Sequence, residues 1–471
     1  MSVERLAGSF RDPSGFLYKN SGTLLRQVNS CYADDFSLLN SSGLYTELSA
    51  AKLLITHVLA DKALQANSDA HCVIKPELVP HISYPYEWSF GQLKDAALLT
   101  LEVQKRAFAK GMTLKDASAY NVQFHQGRAV FIDTLSFEQY EPGTPWVAYR
   151  QFCQHFLGPL ALMAYVDIGL NQLFRTNIDG IPLQLATSLL PWKTKFSPGL
   201  QMHLWLHARS QASASQEQRA TDTSSGKNQQ AARQFGQNAF LGLLDSLKGT
   251  VNKLQWKPGG SEWFDYYQAN NNYGDAGLEF KEDLVEKMVA RVKPATVWDM
   301  GGNTGRFSRI AAAAGASSVC WDIDPGCVES NYQHVKNNEE TGVLPLLVDL
   351  ANPSPSIGWA NSERSSITRR GPADLMLALG LIHHLAISNN VPLDDVADFF
   401  SKNCAHLLIE FVPRGDSQID KLLSSRRDIF SNYTPEGFEA AFRSRFEIVE
   451  TTPVPSTKRT LYLMKSLHST K

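Results

Sequence analysis

The chain has 471 residues, of which 43% are hydrophobic and 20% charged, with 45 Lys and Arg against 47 Asp and Glu. This composition is typical of a globular protein of two or three domains and excludes collagen-like and wholly disordered chains. The N-terminus has no apolar signal-peptide core, and the strongly apolar run at residues 156–166 is too short to span a membrane. These features favour a cytoplasmic protein without a membrane partner. The six cysteines contain no Cys-x-x-Cys pair, so no metal site and no disulfide framework is expected.

The N-terminal half begins with a predicted β-hairpin. Its strands are Phe16–Lys19 and Thr23–Val28, joined by an Asn-Ser-Gly turn. The apolar periodicity of Leu93–Lys110, which is followed by a glycine, then predicts a helix. Residues 145–165 predict a pair of buried helices, in which His155 is a core side chain rather than a ligand.

A short polar motif follows the predicted helix. Asp116 and Asn121 are spaced as D-x-x-x-x-N, and a strand ending in Ile-Asp places Asp133 shortly after them. Over about 25 residues this order resembles the catalytic segment of kinase-like phosphotransferases. The resemblance implies that Asp116 is the base toward a hydroxyl and that Asn121 and Asp133 hold magnesium. Residues 84–88 would then be the connector between two lobes, or only a proline-directed turn.

The N-terminal half also departs from the kinase-like pattern. Leu114 stands where that family usually has a histidine, and no glycine-rich phosphate loop precedes it. Arg26 and Lys75 are the candidates for the strand cation, but neither lies in a typical context. We therefore expect an α+β, kinase-like domain over residues 1–207 that has lost phosphate transfer and helps to bind a substrate. A chance match, or an active phosphotransferase acting on a small hydroxylated molecule, remains an alternative.

Residues 208–234 differ in composition from the rest of the chain. They contain no Leu, Ile, Val or aromatic residue. Because such a segment buries too little apolar surface to offset its ordering entropy, we expect a flexible linker. A solvated helix rich in Ala and Gln is the alternative. Either reading separates the N-terminal domain from a C-terminal domain over residues 235–471.

Strand and helix patterns alternate in the C-terminal half. This alternation predicts an α/β domain with a Rossmann-like, doubly wound and mostly parallel sheet, closed by a final pair of strands. Just before it, the aromatic and Asn-rich residues 262–274 form either a lid or an entry helix. The predicted strands are residues 295–300, 318–323, 343–348, 374–379, 406–411, 446–451 and 459–464, and the predicted helices are residues 307–314, 327–337 and 391–400.

The first of these strands leads into a glycine-rich turn. Asp299 ends the strand, and Gly301, Gly302 and Gly305 follow before a helix begins. Glycines at such a turn let the backbone approach a ligand closely. The next strand ends in Asp322, where a carboxylate can bind both hydroxyls of a ribose. The spacing is D-x-G-x-x-x-G, which differs from the G-x-G-x-x-G that binds a pyrophosphate.

Four stretches in order resemble the class I S-adenosylmethionine (SAM)-dependent methyltransferases. They are VWDMGGNTG, VCWDIDP, LLVDL and ADLMLALGLIHHL, within residues 297–385. The resemblance implies that SAM is the cofactor and that its methionine end contacts the glycine turn. It also implies that the next strand-end acid holds the ribose and that a third acid binds the adenine amino group. The cofactor-binding residues implied in this way are Asp299, Gly301, Asn303, Gly305, Asp322, Asp349 and Leu379.

The catalytic residues are less sharply indicated. His383 and His384 lie where a substrate proton could be removed, although one could instead pack and the other cap the following helix. Glu410 ends the fifth strand and Arg414 follows it, and both could orient a substrate. A dedicated base is not required, since methyl transfer gains chiefly from positioning. A scaffold protein that binds SAM only as a ligand is the remaining alternative.

The methyl acceptor is not identified by the sequence. The Asn/Asp-Pro-Pro-aromatic tetrapeptide typical of base N-methylation is replaced by Ala-Leu-Gly-Leu, which disfavours nucleic acid. The arginine-containing loop at residues 361–372 is predicted to be a solvated insertion rather than a nucleic-acid patch. Small molecules, glycans and proteins remain open as acceptors.

Overall fold

A computed structural model describes residues 3–210, 236–259, 274–424 and 427–468. The predicted linker beyond residue 210 lies outside these ranges, as do residues 262–273 of the predicted lid or entry helix at residues 262–274. The chain divides into two compact units. The first unit comprises Met1–Val79, Ser83–Lys257 and Ile357–Arg364, and the second comprises Pro80–Ile82, Pro258–Ser356 and Ser365–Lys471.

The boundaries of the units differ from the predicted domains. Residues 236–257 belong to the first unit, whereas the sequence places them in the C-terminal domain. A short segment from within the C-terminal half, Ile357–Arg364, also belongs to the first unit, and Pro80–Ile82 belongs to the second. Such exchanges depend on contacts between residues far apart in sequence, so composition alone does not reveal them.

The first unit contains a five-stranded antiparallel sheet of order β1-β2-β3-β5-β4. Its β2–β3 pair confirms the predicted hairpin, and two helices, α1 (Ala33–Ser41) and α2 (Leu44–Ala50), connect β3 to β4. The sheet and its helices make this an α+β unit. The five strands are β1 (Val3–Arg5), β2 (Gly15–Asn20), β3 (Thr23–Asn29), β4 (His57–Leu59) and β5 (Ala70–Pro76).

Helix α3 (Phe90–Ala109) confirms the predicted long helix. It begins at Ser89, whose hydroxyl accepts a hydrogen bond from the Gln92 amide, as N-cap serines do. It is followed by Gly111 with a φ of +74°, a left-handed conformation that glycine adopts without strain. The remaining short strands and helices of this unit are β6 (Met112–Leu114), β7 (Val122–His125), β8 (Arg128–Phe131), β9 (Phe137–Gln139), α4 (Tyr149–Phe152), α5 (Gly158–Tyr165), α6 (Leu183–Leu189), α7 (Pro198–Leu200) and α8 (Gln237–Lys253).

The predicted pair of helices at residues 145–165 is a single helical run. A π-helical turn at Cys153–Leu157 joins α4 directly to α5. The widened turn precedes Pro159, which lacks the N–H that a regular helical turn would use. His155 within the turn is buried, as predicted for a core side chain.

The second unit contains a seven-stranded sheet of order β12-β11-β10-β13-β14-β16-β15. Strands β10 to β14 are parallel to one another, and β16 and β15 close the sheet as an antiparallel pair. This confirms the predicted α/β, mostly parallel sheet with two closing strands. The strands are β10 (Thr296–Met300), β11 (Ser317–Asp322), β12 (Val343–Leu347), β13 (Ala373–Ala378), β14 (Cys404–Phe411), β15 (Phe446–Pro453) and β16 (Thr460–Ser466).

Both faces of this sheet are covered. Val297, Leu375 and Leu408 belong to one apolar cluster with helices α9 and α10. The residues that alternate with them, such as Trp298 and Met376, are also buried. The helices of the unit are α9 (Gly274–Val292), α10 (Arg306–Ala313), α11 (Pro325–Asn337), α12 (Ile367–Arg370), α13 (Leu393–Asn403), α14 (Ser417–Leu423) and α15 (Pro435–Arg443).

The strand order of the sheet reverses between β10 and β13. In open α/β sheets, ligands bind at the carboxyl ends of the strands beside such a reversal. The same edge therefore carries the glycine turn after β10 and the acid at the end of β11. Separately, no helix in the described part of the chain combines the length and apolar composition that crossing a membrane requires.

Candidate functional site

The glycine turn after β10 depends on backbone conformations that favour glycine. Gly301 has a φ of +72° and Gly305 a φ of +83°. At Gly302, a Cβ atom would lie 2.5 Å from Cys320 Sγ and 2.7 Å from an Asp299 carboxylate oxygen. The turn thus packs directly onto β11 and onto the acid that ends β10, which leaves no room for a side chain.

Asp322 at the end of β11 is held by backbone amides. One carboxylate oxygen accepts a hydrogen bond from Asn303 N at 2.7 Å, and the other accepts from Asp324 N at 2.9 Å. The residue is 8% exposed. Burial raises the pKa of Asp322 to about 6, although these amides oppose the rise. The Asp322 carboxylate is thereby fixed beside the glycine turn.

Asp299 occupies a different place from the one expected. It is 1% exposed, and its carboxylate accepts a hydrogen bond from Ser308 Oγ at 2.6 Å instead of lining the cavity. Burial, and then the nearby Asp322 charge, raise the pKa of Asp299 to about 6. Gly305 is also away from the cavity wall, where a Cβ atom would approach Asn331. Asp299 and Gly305 therefore support the glycine turn on the side that faces away from the cavity.

A cavity of about 240 Å³ opens at the carboxyl ends of the parallel strands of the second unit. Its walls are built from the end of β11 and the residues that follow β10, β11, β12 and β13, together with Lys281 of α9 and Gln418 of α14. The predicted site residues on its wall are Gly301, Asn303, Asp322, Asp349, Leu379, His383 and His384. Wall residues that the sequence did not single out include Lys281, Trp321, Leu381, Ser388 and Gln418.

The two adjacent histidines lie on this wall with their rings in contact. The ring centroids of His383 and His384 are 4.0 Å apart. Burial, followed by the charges of His384 and Arg459, holds the pKa of His383 well below its usual value. Its Nδ1 is buried and makes no hydrogen bond within the described residues. A neutral imidazole of this kind can accept a proton from a bound molecule.

Glu410 and Arg414 are not on the cavity wall. Glu410 is fully buried, and one of its carboxylate oxygens accepts a hydrogen bond from Lys281 Nζ at 2.8 Å. Arg414 pairs instead with Asp428. The sequence predicts both side chains at the crevice because Glu410 lies near the end of β14 and Arg414 follows that strand, but tertiary contacts direct them elsewhere.

The polar motif of the first unit forms a cluster of its own. Asp133 pairs with Arg26 at 2.6 Å, and Asp116 accepts a hydrogen bond from Gln151 at 2.7 Å. Although burial opposes ionisation, the Arg26 guanidinium keeps the pKa of Asp133 below its usual value. Burial, and then the Asp133 charge, raise the pKa of Asp116. Asn121 donates a hydrogen bond to Ser136.

Within the described residues, no group of three His, Cys, Asp or Glu is arranged to hold a metal ion.

The arginine-containing insertion is not simply solvated. Glu363 is buried, and its carboxylate accepts hydrogen bonds from Arg11 at 2.8 and 3.1 Å and from Trp359 N at 2.8 Å. The neighbouring Arg364 lies over the ring of Tyr120 at 4.2 Å. All of these residues belong to the first unit, so this part of the insertion is an integral part of that unit.

The far end of the same insertion belongs to the second unit. Arg370 donates a hydrogen bond to the Ile82 carbonyl at 2.8 Å and lies over the ring of Trp321 at 5.5 Å. His81 packs edge-on against Trp298 and Trp321, with ring centroids 5.7 and 5.4 Å apart. Trp321 on the cavity wall is therefore supported by a segment from the N-terminal half of the chain.

Comparison with known proteins identifies one relative along nearly the whole chain. No family model matches the chain. It is 36% identical over 461 residues to nodulation protein NoeA of Rhizobium meliloti (strain 1021), an alignment covering 97% of this chain and 95% of that protein. Solved structures resemble smaller parts of the chain, and two of them serve as examples. The PH0226 protein from Pyrococcus horikoshii OT3 aligns with a TM-score of 0.33 and 16% identity, over 44% of this chain and 100% of that chain. N-methyltransferase NodS from Bradyrhizobium japonicum WM9, in complex with S-adenosyl-L-homocysteine, aligns with a TM-score of 0.32 and 12% identity, over 44% of this chain and 100% of that chain.

Proposed function

The chain belongs to the family of nodulation protein NoeA, and we propose that its second unit transfers a methyl group from SAM to an acceptor. The observation that carries this proposal is the position of Asp322. Its amide-held carboxylate lies on the cavity wall, next to the glycine turn and beside the reversal of strand order. A strand-end carboxylate of this kind can accept hydrogen bonds from both hydroxyls of a ribose.

The other wall residues are compatible with SAM. Asp349 follows β12 and is exposed on the wall, where it can accept a hydrogen bond from an adenine amino group. Leu379 follows β13 and supplies an apolar surface beneath the ligand. Trp321 and His383 each carry a buried ring nitrogen without a hydrogen-bond partner within the described residues. A bound polar ligand would provide such partners.

The chain's own contribution to the reaction is chiefly positioning. When bound, SAM supplies a methyl group on a sulfonium, which an acceptor atom displaces in line. The wall residues orient the two reactants, and this converts a bimolecular encounter into a reaction within one complex. His383 is proposed to accept the acceptor's proton at Nδ1, since its neutral imidazole makes no other hydrogen bond there within the described residues. Its neighbour His384 orients the ring of His383.

The acceptor is proposed to be a small molecule, a glycan or a protein, with nucleic acid disfavoured. The first unit is proposed to help bind it as a kinase-like domain that has lost phosphate transfer. The ion pair between Arg26 and Asp133 supports this loss. The Asp133 carboxylate, which by resemblance would hold magnesium, is already neutralised by a guanidinium.

The proposed function is tested by calorimetric titration of the purified full chain with SAM, S-adenosylhomocysteine (SAH) and magnesium-ATP in parallel. We expect SAM and SAH to bind and magnesium-ATP not to bind. Asp322→Ala should weaken SAH binding at least about tenfold, because removing a charged partner of a buried hydrogen bond costs about 1.5–3 kcal/mol. The exposed Asp420→Ala is the matched control and should bind SAH normally.

Three outcomes would contradict parts of this proposal. Absence of SAM and SAH binding would exclude the methyltransferase function. Binding of magnesium-ATP would favour an active phosphotransferase centred on Asp116 and Asp133. SAM binding without methyl transfer to any component of a cell extract would favour a scaffold protein that uses SAM only as a ligand.

A further inference from the structure

Two large aromatic side chains, Trp192 and Phe196, lie side by side on the surface of the first unit. These residues, the aromatic pair, are 70% and 73% exposed, and their ring centroids are 5.3 Å apart in an edge-to-face arrangement. They are the first and last residues of a short 3-10 helix that follows α6. Single exposed apolar residues are ordinary on protein surfaces. Here the most exposed large apolar side chain in the described part of the chain, Phe196, contacts a second one of nearly equal exposure.

The helices around the aromatic pair also expose apolar side chains. Leu185 and Leu189 are exposed on α6, and Met202 and Leu206 are exposed on the helical run that follows α7. Residues four positions apart lie on the same face of a helix. Both α6 and the 3-10 helix pack against the run after α7. The three elements therefore expose apolar side chains in the same part of the first unit.

The charge in this part of the chain is positive. Residues 180–216, the acid-free segment, contain no Asp or Glu, whereas they contain Lys193, Lys195 and Arg209. Both lysines are exposed and lie within the 3-10 helix, between the two members of the aromatic pair in the sequence. Lys195 Nζ lies 4.4 Å from the centre of the Trp205 ring, so its ammonium stays close to this aromatic surface.

Helix α8 packs beside the acid-free segment and does not offset its charge. The two are joined by a hydrogen bond of 2.9 Å between His203 Nε2 and Ser246 Oγ. The acidic residue of α8, Asp245, pairs with Lys105 at 3.2 Å. The negative charge of α8 is therefore balanced by a lysine outside the acid-free segment.

An apolar surface with exposed aromatic rings and flanking cations is complementary to a lipid surface that carries negative charge. Tryptophan rings favour the boundary between lipid head groups and acyl chains, and apolar side chains beside them enter the same layer. Lysine ammonium groups are attracted to anionic lipids across that boundary. A second copy of the chain is a poorer partner, because a two-fold symmetric contact would bring the same lysines close to one another.

We propose that the aromatic pair and the exposed apolar side chains beside it bind the surface of a membrane that contains anionic lipid. The sequence led us to expect no membrane partner because it contains no run long enough to span a bilayer. Binding to the membrane surface does not require such a run. The proposal goes beyond the methyl transfer proposed for the second unit and does not depend on it.

The proposal is tested by co-sedimentation of the purified full chain with lipid vesicles. The probes are vesicles of phosphatidylcholine alone and vesicles that also contain the anionic lipid phosphatidylglycerol. We expect the wild-type chain to bind the anionic vesicles at least about tenfold more tightly, because each lysine near an anionic surface contributes about fivefold in affinity. Added salt should weaken this binding, because it screens the lysine charges.

Two variants separate the apolar contribution from the charged one. Trp192→Ala combined with Phe196→Ala should weaken binding to anionic vesicles at least about tenfold, because it removes the large side chains that leave water. Lys193→Glu combined with Lys195→Glu should remove the preference for anionic over neutral vesicles. All four side chains are exposed, so the thermal unfolding of both variants should stay close to that of the wild type.

The first unit also offers matched control variants. Trp359 is 72% exposed but has no lysine or arginine within four positions in the sequence, so Trp359→Ala should leave vesicle binding unchanged. Lys19→Glu combined with Lys62→Glu reverses two exposed charges outside the acid-free segment and should keep the preference for anionic vesicles.

Three results would overturn the proposal. The first is that the wild-type chain binds neither kind of vesicle, and the second is that replacing Trp192 and Phe196 leaves vesicle binding unchanged. The third is a dimer in analytical ultracentrifugation that the same double replacement dissociates, which would show that a second copy of the chain covers the aromatic pair. None of these results bears on SAM binding, which is measured separately.

Discussion

Two carboxyl groups are buried close together at the glycine turn. Asp299 and Asp322 each have a pKa raised to about 6, chiefly by burial. They differ in their surroundings, since Asp322 lines the cavity and Asp299 lies behind the turn. Because Asp299 does not line the cavity, the free-energy cost of burying its negative charge does not depend on a bound ligand. This cost can therefore be measured on the chain alone.

The raised pKa of Asp299 predicts a pH-dependent effect of its replacement. The folded chain binds the Asp299 proton more tightly than the unfolded chain, so this residue's contribution to stability is lost as pH rises from 3.8 through about 6. Relative to the wild type, Asp299→Asn should therefore gain about 2 kcal/mol in unfolding free energy between pH 4.5 and pH 8. Denaturant unfolding at the two pH values measures the gain, and the exposed Asp420→Asn is the control. A difference that is independent of pH would contradict the prediction.

At the scale of secondary-structure elements, the contact between the glycine turn and β11 is the tightest part of the site. A methyl group at Gly302 would overlap both Cys320 Sγ and the Asp299 carboxylate. Gly242, by contrast, is exposed on helix α8, where a Cβ atom would meet no other side chain or element within 4 Å. A glycine-to-alanine substitution is therefore sterically crowded at Gly302 and unhindered at Gly242, so the two positions form a matched pair.

Replacing these glycines with alanine should have opposite effects. Gly302→Ala should destabilise the second unit by about 1–3 kcal/mol, because the turn must move away from β11. Gly242→Ala should stabilise the first unit by about 0.5–1 kcal/mol, because alanine favours a helix more than glycine does. Thermal unfolding measures both changes. A neutral Gly302→Ala variant would show that the turn has room that the structure does not indicate.

Most of the strands of the second unit could be predicted from the sequence, because parallel strands buried on both faces appear as short apolar runs. The glycine turn and Asp322 were also predictable, since a strand, a turn and a helix follow one another locally. Lys281 was not, because a single lysine on an amphipathic helix has the pattern of a solvated residue. Its burial depends on Glu410, which is 129 positions away in the sequence.

At the scale of the whole molecule, each unit includes a short segment from the other half of the chain. Glu363 of the segment Ile357–Arg364 pairs with Arg11 in the first unit. His81 of the segment Pro80–Ile82 packs against two tryptophans of the second unit. The amino-acid composition predicts a single domain boundary near residue 208, because the polar segment there marks a break in the chain. Composition carries no signal for the two exchanged segments.

A fragment cut at a single boundary should consequently be unstable. Residues 258–471 alone lack His81 and Ile82, so Trp298 and Trp321 lose packing and Arg370 loses a hydrogen-bond acceptor. We expect this fragment to unfold at a lower temperature than the second unit does in the full chain. His81→Ala in the full chain should reproduce part of that loss, by about 1–3 kcal/mol. A fragment as stable as the full chain would contradict the prediction.

The exchanged segments also bear on how such a gene can evolve. A recombination that replaced either half with a homologous domain would separate Arg11 from a matching Glu363, and His81 from its two tryptophans. Each new combination would have to repair two sets of contacts at once before selection could act on any gain in activity. The two halves are therefore expected to be inherited together. In agreement with this expectation, the alignment with NoeA includes both halves and covers 95% of the length of NoeA.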